Sequence, residues 1–522
     1  MIKHFLLLLI IICVFLPGKL PAQDTSKSLA FKNNKPGRNY VSFYQPDLYY
    51  TLWEQFELNK EAQAGNAKAQ HELGIRYLTG KDMPADTVKG AYWIKKAAEQ
   101  KLTAAQFNYG ILLINGWGVD WNPFEAFKQF YYAAMDRMPQ AEYVIGLLYT
   151  DNLIIKRDMG EAYKWLQKSA NQNYIPAKET FVKFTKYAPK ANDTIPKLVN
   201  NSKNYALKGK DNQDSNNEKS LQSSSGLVYI DFDMISDSIQ VIKEEDLVED
   251  IKNSSNKELA NSVKTAKDSS SYIDSTSMHV FLEASDYGCP EAINLLGYYA
   301  QKGIHFVNDP IGAAEFYIRS SKVDSRKGTI LLYDLIKEKD FFTILKKEVD
   351  KNNPDAMYVW YGIQSLGFDK QITDQDAFKL LQKSAGMRNL NSVIELGQDY
   401  FKGNFVKQDK LKGLDIWKLA ADQGSKEARI RIEIANLYGE IYVNDKSESF
   451  NYLQTAEEKG SLLAELSLAD CYDKGIIVPR EKSKAIFYFR SAAVRGSVFA
   501  YNELKRIYDD IRPKDFEADI GK

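Results

Sequence analysis

Small, large and polar residues recur along this chain on a fixed schedule. Ala69, Ala105, Ala141 and Ala177 stand 36 residues apart, and so do Ser392, Ala428, Ala464 and Ala500. Between the two series lie Ala292, Gly328 and Ala356, spaced 36 and then 28, so one unit is shortened. Four and five places after the small residue come Leu73-Gly74, Tyr109-Gly110, Ile145-Gly146, Leu296-Gly297 and Leu396-Gly397. On a helix these positions share one face, and their small side chains let a neighbouring helix approach closely. Eleven places on stand Gly80, Gly116, Asn152, Gly303, Gly367, Gly403, Gly439 and Gly475. Gly and Asn accept the left-handed backbone that follows a helix C-terminus, so the first helix stops here. Seventeen places on stand Asp86, Asn122, Asp158, Asp309, Thr373, Asp409, Asp445 and Glu481, seven of them good N-cap residues. Pro123 and Pro310 follow two of these at the first helical position. The second helix has bodies such as Ala91-Tyr92-Trp93 followed by Ala97-Ala98, with Phe127, Tyr163 and Phe378 in the same register. These aromatics are expected to plug gaps beside alanines and glycines of adjacent helices.

The pattern predicts an all-α fold, an α-solenoid of antiparallel helix pairs in 36-residue repeats, in two arrays separated by a low-complexity insertion. The first array is expected over residues 49–186, opened by a cap helix carrying Trp53, Phe56 and Ala62; the second covers 278–511. Residues 23–48 are polar and read as irregular, and 512–522, beginning at Arg512-Pro513, as a tail. Residues 187–277 lose the register and are rich in serine, asparagine, lysine and aspartate, the composition of a flexible insertion. Within them Val228, Ile230, Phe232 and Met234 alternate as a short strand would, and residues 244–267 carry a loose amphipathic helix pattern.

The unit resembles the Sel-1-like repeat family, relatives of the tetratricopeptide repeats. The resemblance rests on Leu73, Gly74, Tyr77, Gly80, Lys95, Ala97, Ala98, Glu99 and Gln100, on Gly116, Gly118 and Val119, and on Leu396, Gly397, Tyr400, Gly403, Trp417, Ala420, Ala421, Gln423 and Gly424. It covers roughly residues 61–185 and 280–510 and departs at the Ala177 and Gly328 units, which lack the turn glycine. It implies an adaptor that binds a protein or peptide partner on a concave face. Some family members staple each unit with a disulfide. Here only Cys289 and Cys471 follow the leader, five units apart, and no bond between them is expected.

Composition narrows the function further. Lys plus Arg and Asp plus Glu are 69 each, so no net field favours nucleic acid as a partner. Residues 1–22 read as a secretory signal: Lys3 and His4, an apolar run from Phe5 to Leu16, and Leu20-Pro21-Ala22 with cleavage after Ala22. That run is shorter than the roughly 20 residues of a membrane span, and the chain is expected to be exported, periplasmic or secreted, and not membrane-spanning. Beyond the leader the histidines are His71, His279 and His305, a poor basis for a metal site or a Ser-His-Asp triad. No cofactor, metal or catalytic residue is predicted. Ser254 and Lys257 have Ser-x-x-Lys spacing without companion motifs, which chance explains. The candidate binding residues are Trp117 and Trp121 in Gly116-Trp117-Gly118-Val119-Asp120-Trp121, more aromatic surface than a tight turn requires; packing between turns is the competing account. An envelope-polymer hydrolase, or a regulator of one, and a structural spacer are the alternatives to the adaptor reading.

Overall fold

The structure, a computed structural model, describes residues 43–44, 55–185, 242–254, 256–263, 277–369, 371–440 and 445–516. Among them are 24 α-helices and no strand. Consecutive helices pack as hairpins, Ala67–Thr79 on Thr87–Glu99, Thr103–Asn115 on Pro123–Met135, Pro290–Lys302 on Pro310–Lys322, Leu390–Lys402 on Lys410–Asp422 and Leu462–Lys474 on Lys482–Val494. The leader, Trp53, the alternating residues 228–234 and the end of the tail lie outside the described residues.

The schedule of small residues is the schedule of helix contacts. Ala69, Ala105, Ala141, Ala177, Ala292, Ala356, Ser392, Ala428, Ala464 and Ala500 are all 0% exposed. Ser392 keeps its polar group satisfied by bonding the Ser384 hydroxyl at 2.7 Å. The helix stops fall where expected: all eight turn residues have positive φ, from 56° at Asn152 to 80° at Gly367 and Gly403. Asp86, Asn122, Asp158 and Asp409 accept the backbone N–H three residues on at 2.9–3.0 Å, while Glu481 makes no side-chain cap bond. A second left-handed position falls four residues before each small residue. Lys101, Arg137, Asn173, Asp324, Asn352 and Arg388 hold it with φ of 61–72°, and Gly65, Gly288, Gly424, Gly460 and Gly496 elsewhere. It reverses the chain between one hairpin and the next, and the mixed residue types hide it in the sequence.

The gap-filling side chain is not the one expected. A methyl group added to Gly74, Gly110, Gly146, Gly297 or Gly397 would stand 2.5–2.8 Å from Ile94, Phe130, Leu166, Tyr317 or Trp417 respectively. Each partner lies 20 residues after its glycine, one to three residues beyond the Tyr92, Trp93 and Phe127 register. Phe127 and Phe378 are buried, but Trp93 and Tyr163 are only half-buried and Tyr92 is 53% exposed. The short unit is the hairpin Arg326–Ile336 and Phe341–Asp350, whose connecting loop has lost the residues between helix stop and N-cap.

Contacts divide the chain into two compact units, whose described parts are 43–44 with 55–142, and 143–185 with 242–516. The helices Met159–Asn171 and Ile175–Phe184, which precede the insertion, therefore group with the later repeats. The Arg490 guanidinium pairs with Asp151 at 3.1 Å with both side chains buried. The Tyr501 hydroxyl donates to the Asp151 carbonyl at 2.9 Å, and Arg512 to the Ile154 carbonyl at 2.7 Å. The stretch 187–277, expected to be a flexible insertion, contains two packed helices, Glu244–Lys252 and Lys257–Asn261. Leu247, Val248, Ile251 and Leu259 are buried in the same apolar cluster as the helix Pro290–Lys302. An amphipathic face that finds a neighbour is stable where its composition alone is not.

Candidate functional site

In the first unit, the first helices of two successive hairpins and the turn after the second hold Phe43 and Tyr44. Asn66 caps the helix Ala67–Thr79 by accepting the Lys68 and Ala69 amides, which sets the helix bearing His71. The next first helix, Thr103–Asn115, is apolar except for a few residues, of which Asn108 is 0% exposed. Its carboxamide oxygen accepts the Tyr44 N–H at 2.8 Å, and its Nδ2 donates to the Tyr44 carbonyl at 3.0 Å. Nδ2 also lies 2.7 Å from Nε2 of His71. Burial holds the His71 imidazole down at about 4, so the ring is neutral at pH 7. With both Nδ2 protons facing acceptors, Nε2 is the unprotonated nitrogen and the proton sits on Nδ1. The amide orientation is thereby locked from behind by a neutral histidine. In front, it pairs with one residue's backbone N–H and C=O.

Trp117, the first sequence candidate, is half-buried and its ring centroid lies 6.0 Å from that of Phe43, tilted by 58°. Phe43 is 8% exposed and Tyr44 43% exposed. Trp121 is also half-buried. Gly118 between them explains the tight turn: with φ of 68°, an added methyl would stand 2.1 Å from the Thr87 carbonyl oxygen. The structure thus brings Trp117 together with Asn108 and His71, neither of which sequence reasoning singled out as a site residue. The available signal was an amide in the run Gln106-Phe107-Asn108-Tyr109, a polar group where the register demands burial.

Elsewhere several buried charged groups pair with one another. In the second unit Glu395 pairs with Lys322 at 3.1 Å, and Glu427 with Arg431 at 2.8 Å and Arg319 at 3.6 Å. Arg495 donates to both Glu291 oxygens at 2.7 and 2.9 Å, to Glu465 at 2.6 Å and to the Gly460 carbonyl. Glu291 lies in the first turn of the helix Pro290–Lys302 and Arg495 at the C-terminus of Lys482–Val494, and the Arg326 N–H donates to the Gly496 carbonyl at 3.0 Å. The Ser254 hydroxyl accepts the Asn256 amide at 3.3 Å and Lys257 is exposed at a helix start, an arrangement of a turn. Cys289 and Cys471 are free and buried. Among the described residues, no three His, Cys, Asp or Glu side chains are grouped to hold a metal, and no helix is long and apolar enough to cross a membrane.

Hairpins in a constant register, stopped by left-handed residues and joined through glycine contacts, define a helical-repeat α-solenoid. The Sel1 repeat family matches six segments of the chain, 67–102, 103–136, 139–174, 290–324, 392–425 and 462–497. The chain is a Sel1-repeat protein, and the hairpins at 326–350, 354–386 and 426–458 continue the same architecture between the matched segments. It is 31% identical over 113 residues to the ERAD-associated E3 ubiquitin-protein ligase component HRD3B of Arabidopsis thaliana, a match covering 21% of this chain and 17% of that protein. It is 36% identical over 86 residues to DAP3-binding cell death enhancer 1 of Rattus norvegicus, covering 16% of each. These matches span about a sixth of the length of the relatives. Among solved structures, the chain is similar to c5321, a protective antigen of uropathogenic Escherichia coli strains displaying an SLR fold. Identity there is 17%, coverage 89% of this chain and 92% of that one, and the TM-score 0.28. A Sel1 repeat protein from Oxalobacter formigenes is 30% identical over 24% of this chain and 96% of its own, with a TM-score of 0.24.

Proposed function

We propose that this protein is an exported scaffold that binds a partner protein through an extended segment, on the inner face formed by the first helices of its first unit. The observation that supports this reading is the Asn108 carboxamide, which pairs with both the backbone N–H and the carbonyl of Tyr44. A buried amide in that geometry reads the main chain of any extended peptide, and side-chain pockets beside it add selectivity. Trp117 supplies such a neighbour. The corresponding faces of the second unit are occupied by its own ion pairs, which suit a rigid support more than a groove. Repeat stacking presents a long, stiff surface without a reactive cleft, the property an adaptor needs. The related proteins bear names describing a ligase component and a binding protein, which accords with adaptor work. Export, with cleavage after Ala22, is supported by the basic, apolar and small-residue order of the leader.

The test is a displayed library of nine-residue peptides panned against the whole chain lacking the leader. Peptides are expected to be recovered whose binding Asn108→Ala weakens at least tenfold while circular dichroism stays unchanged. Failure to enrich any peptide, or enrichment indifferent to Asn108→Ala, overturns the reading.

A further inference from the structure

Resting on that peptide-binding reading, we infer that Phe43 and Tyr44 are a resident occupant of the site, and that a partner's extended, aromatic-bearing segment must displace them to bind. The bonds to Tyr44 are made to its backbone and not to its phenol. The site therefore has no means of preferring this residue over another at that position. Phe43 is buried against the Trp117 ring, while Tyr44 is exposed. Selection falls on the buried residue, which Trp117 makes an aromatic one.

The occupant is joined to its site by the chain itself. Ten residues separate Tyr44 from Gln55, where the first described helix begins. The covalent connection makes rebinding intramolecular, and an intramolecular segment competes at an effective concentration on the order of millimolar. A resident segment whose own affinity for the site is about 100 µM then weakens any free peptide about tenfold. Arrangements of this kind hold a binding face shut until a tighter or more abundant segment arrives. Among the described residues the polar hold on the resident pair is two backbone bonds, beside the contact with the Trp117 ring.

Fluorescence anisotropy tests this with a fluorescein-labelled peptide of the sequence 40–48 and the chain lacking its leader. The variant Phe43→Ala is expected to bind the peptide several-fold more tightly than wild type, approaching about tenfold where the segment is fully released. Adding Asn108→Ala to Phe43→Ala should abolish that gain, as should adding Trp117→Ala, a half-buried site whose truncation leaves the helices intact. Equal affinity of wild type and Phe43→Ala overturns the resident-occupant inference and leaves the peptide site standing. A gain that survives both Asn108→Ala and Trp117→Ala places binding elsewhere and overturns both. No detectable binding to any form, when the panned peptides do bind, overturns the inference alone. Light scattering completes the test: a wild-type dimer that Phe43→Ala converts to monomer would show the segment acting in a second copy, against occupancy in the same chain.

Discussion

Replacing Arg495 by Met removes the one cation that holds two buried carboxylates. Arg495 bonds Glu291 through two nitrogens and Glu465 through a third, with 3%, 7% and 0% of the respective side chains exposed. Burial alone would push the Glu291 carboxyl up, but the guanidinium beside it holds it below its ordinary 4.5. Breaking a buried pair by deleting one partner costs about 3–5 kcal/mol, because the charge left behind is uncompensated. The pH dependence carries the sign. In wild type the folded carboxyl is more acidic than the unfolded one, so its contribution is present above pH 4.5 and lost as pH falls through the folded value. In the variant burial dominates, the folded carboxyl becomes less acidic than the unfolded one, and stability falls as pH rises. The gap between the two proteins is therefore widest near neutral pH and narrows on acidification. Urea unfolding followed by circular dichroism at about pH 7 and about pH 4.5 measures it. Hydrogen exchange should place the loss in Leu462–Lys474 and Pro290–Lys302, and not in Thr103–Asn115. Replacing all three residues by Met should return stability to within about 1 kcal/mol of wild type. A single-variant loss under about 1 kcal/mol at neutral pH, or a loss independent of pH, would refute the reasoning.

Other outcomes follow from the same geometry. His71 has a folded value of about 4 against an ordinary 6.5, so its contribution is intact above pH 6.5 and erodes as pH falls toward 4. The full loss is about 3 kcal/mol, and His71→Gln should flatten the pH dependence of the first unit's thermal midpoint. Gly118→Ala should destabilise by about 2–3 kcal/mol in chemical unfolding, because the methyl meets the Thr87 carbonyl and the residue is left-handed. Gly403→Val, at φ of 80° with Gln408 close by, should cost more than Val at exposed Lys418; equal small losses would contradict the helix stop. The Cys289 and Cys471 thiols are buried, and burial pushes that of Cys471 up to about 12. Both should resist a thiol-disulfide reagent in the native chain and react together in denaturant, whereas rapid native labelling would count against the packing.

The repeat architecture was legible because its signals are local and recur. A small residue, a left-handed stop and a cap each act within one or two turns, so spacing alone located Ala69, Gly80 and Asp86 and their counterparts. The side chain filling a glycine gap was misplaced by one to three residues, since helix crossing geometry decides which of Tyr92, Trp93 or Ile94 lies over Gly74. The helix Glu244–Lys252 sat in a polar stretch whose composition favours a tether, and only the neighbouring apolar cluster makes it pack. Asn108 read as one more polar residue until Tyr44, 64 residues earlier, came to lie on it. Arg490 and Asp151 are 339 residues apart, and Arg495 and Glu291 204. Sequence by itself determined that the chain forms helix hairpins in series and, for most of them, where the first helix stops and the second starts. Which hairpins meet, and which polar groups close a charge pair or grip a passing strand of backbone, was decided by the tertiary structure. The reason is that a repeat specifies contacts with its nearest neighbours, while these depend on the small rotation between units summed over the whole series.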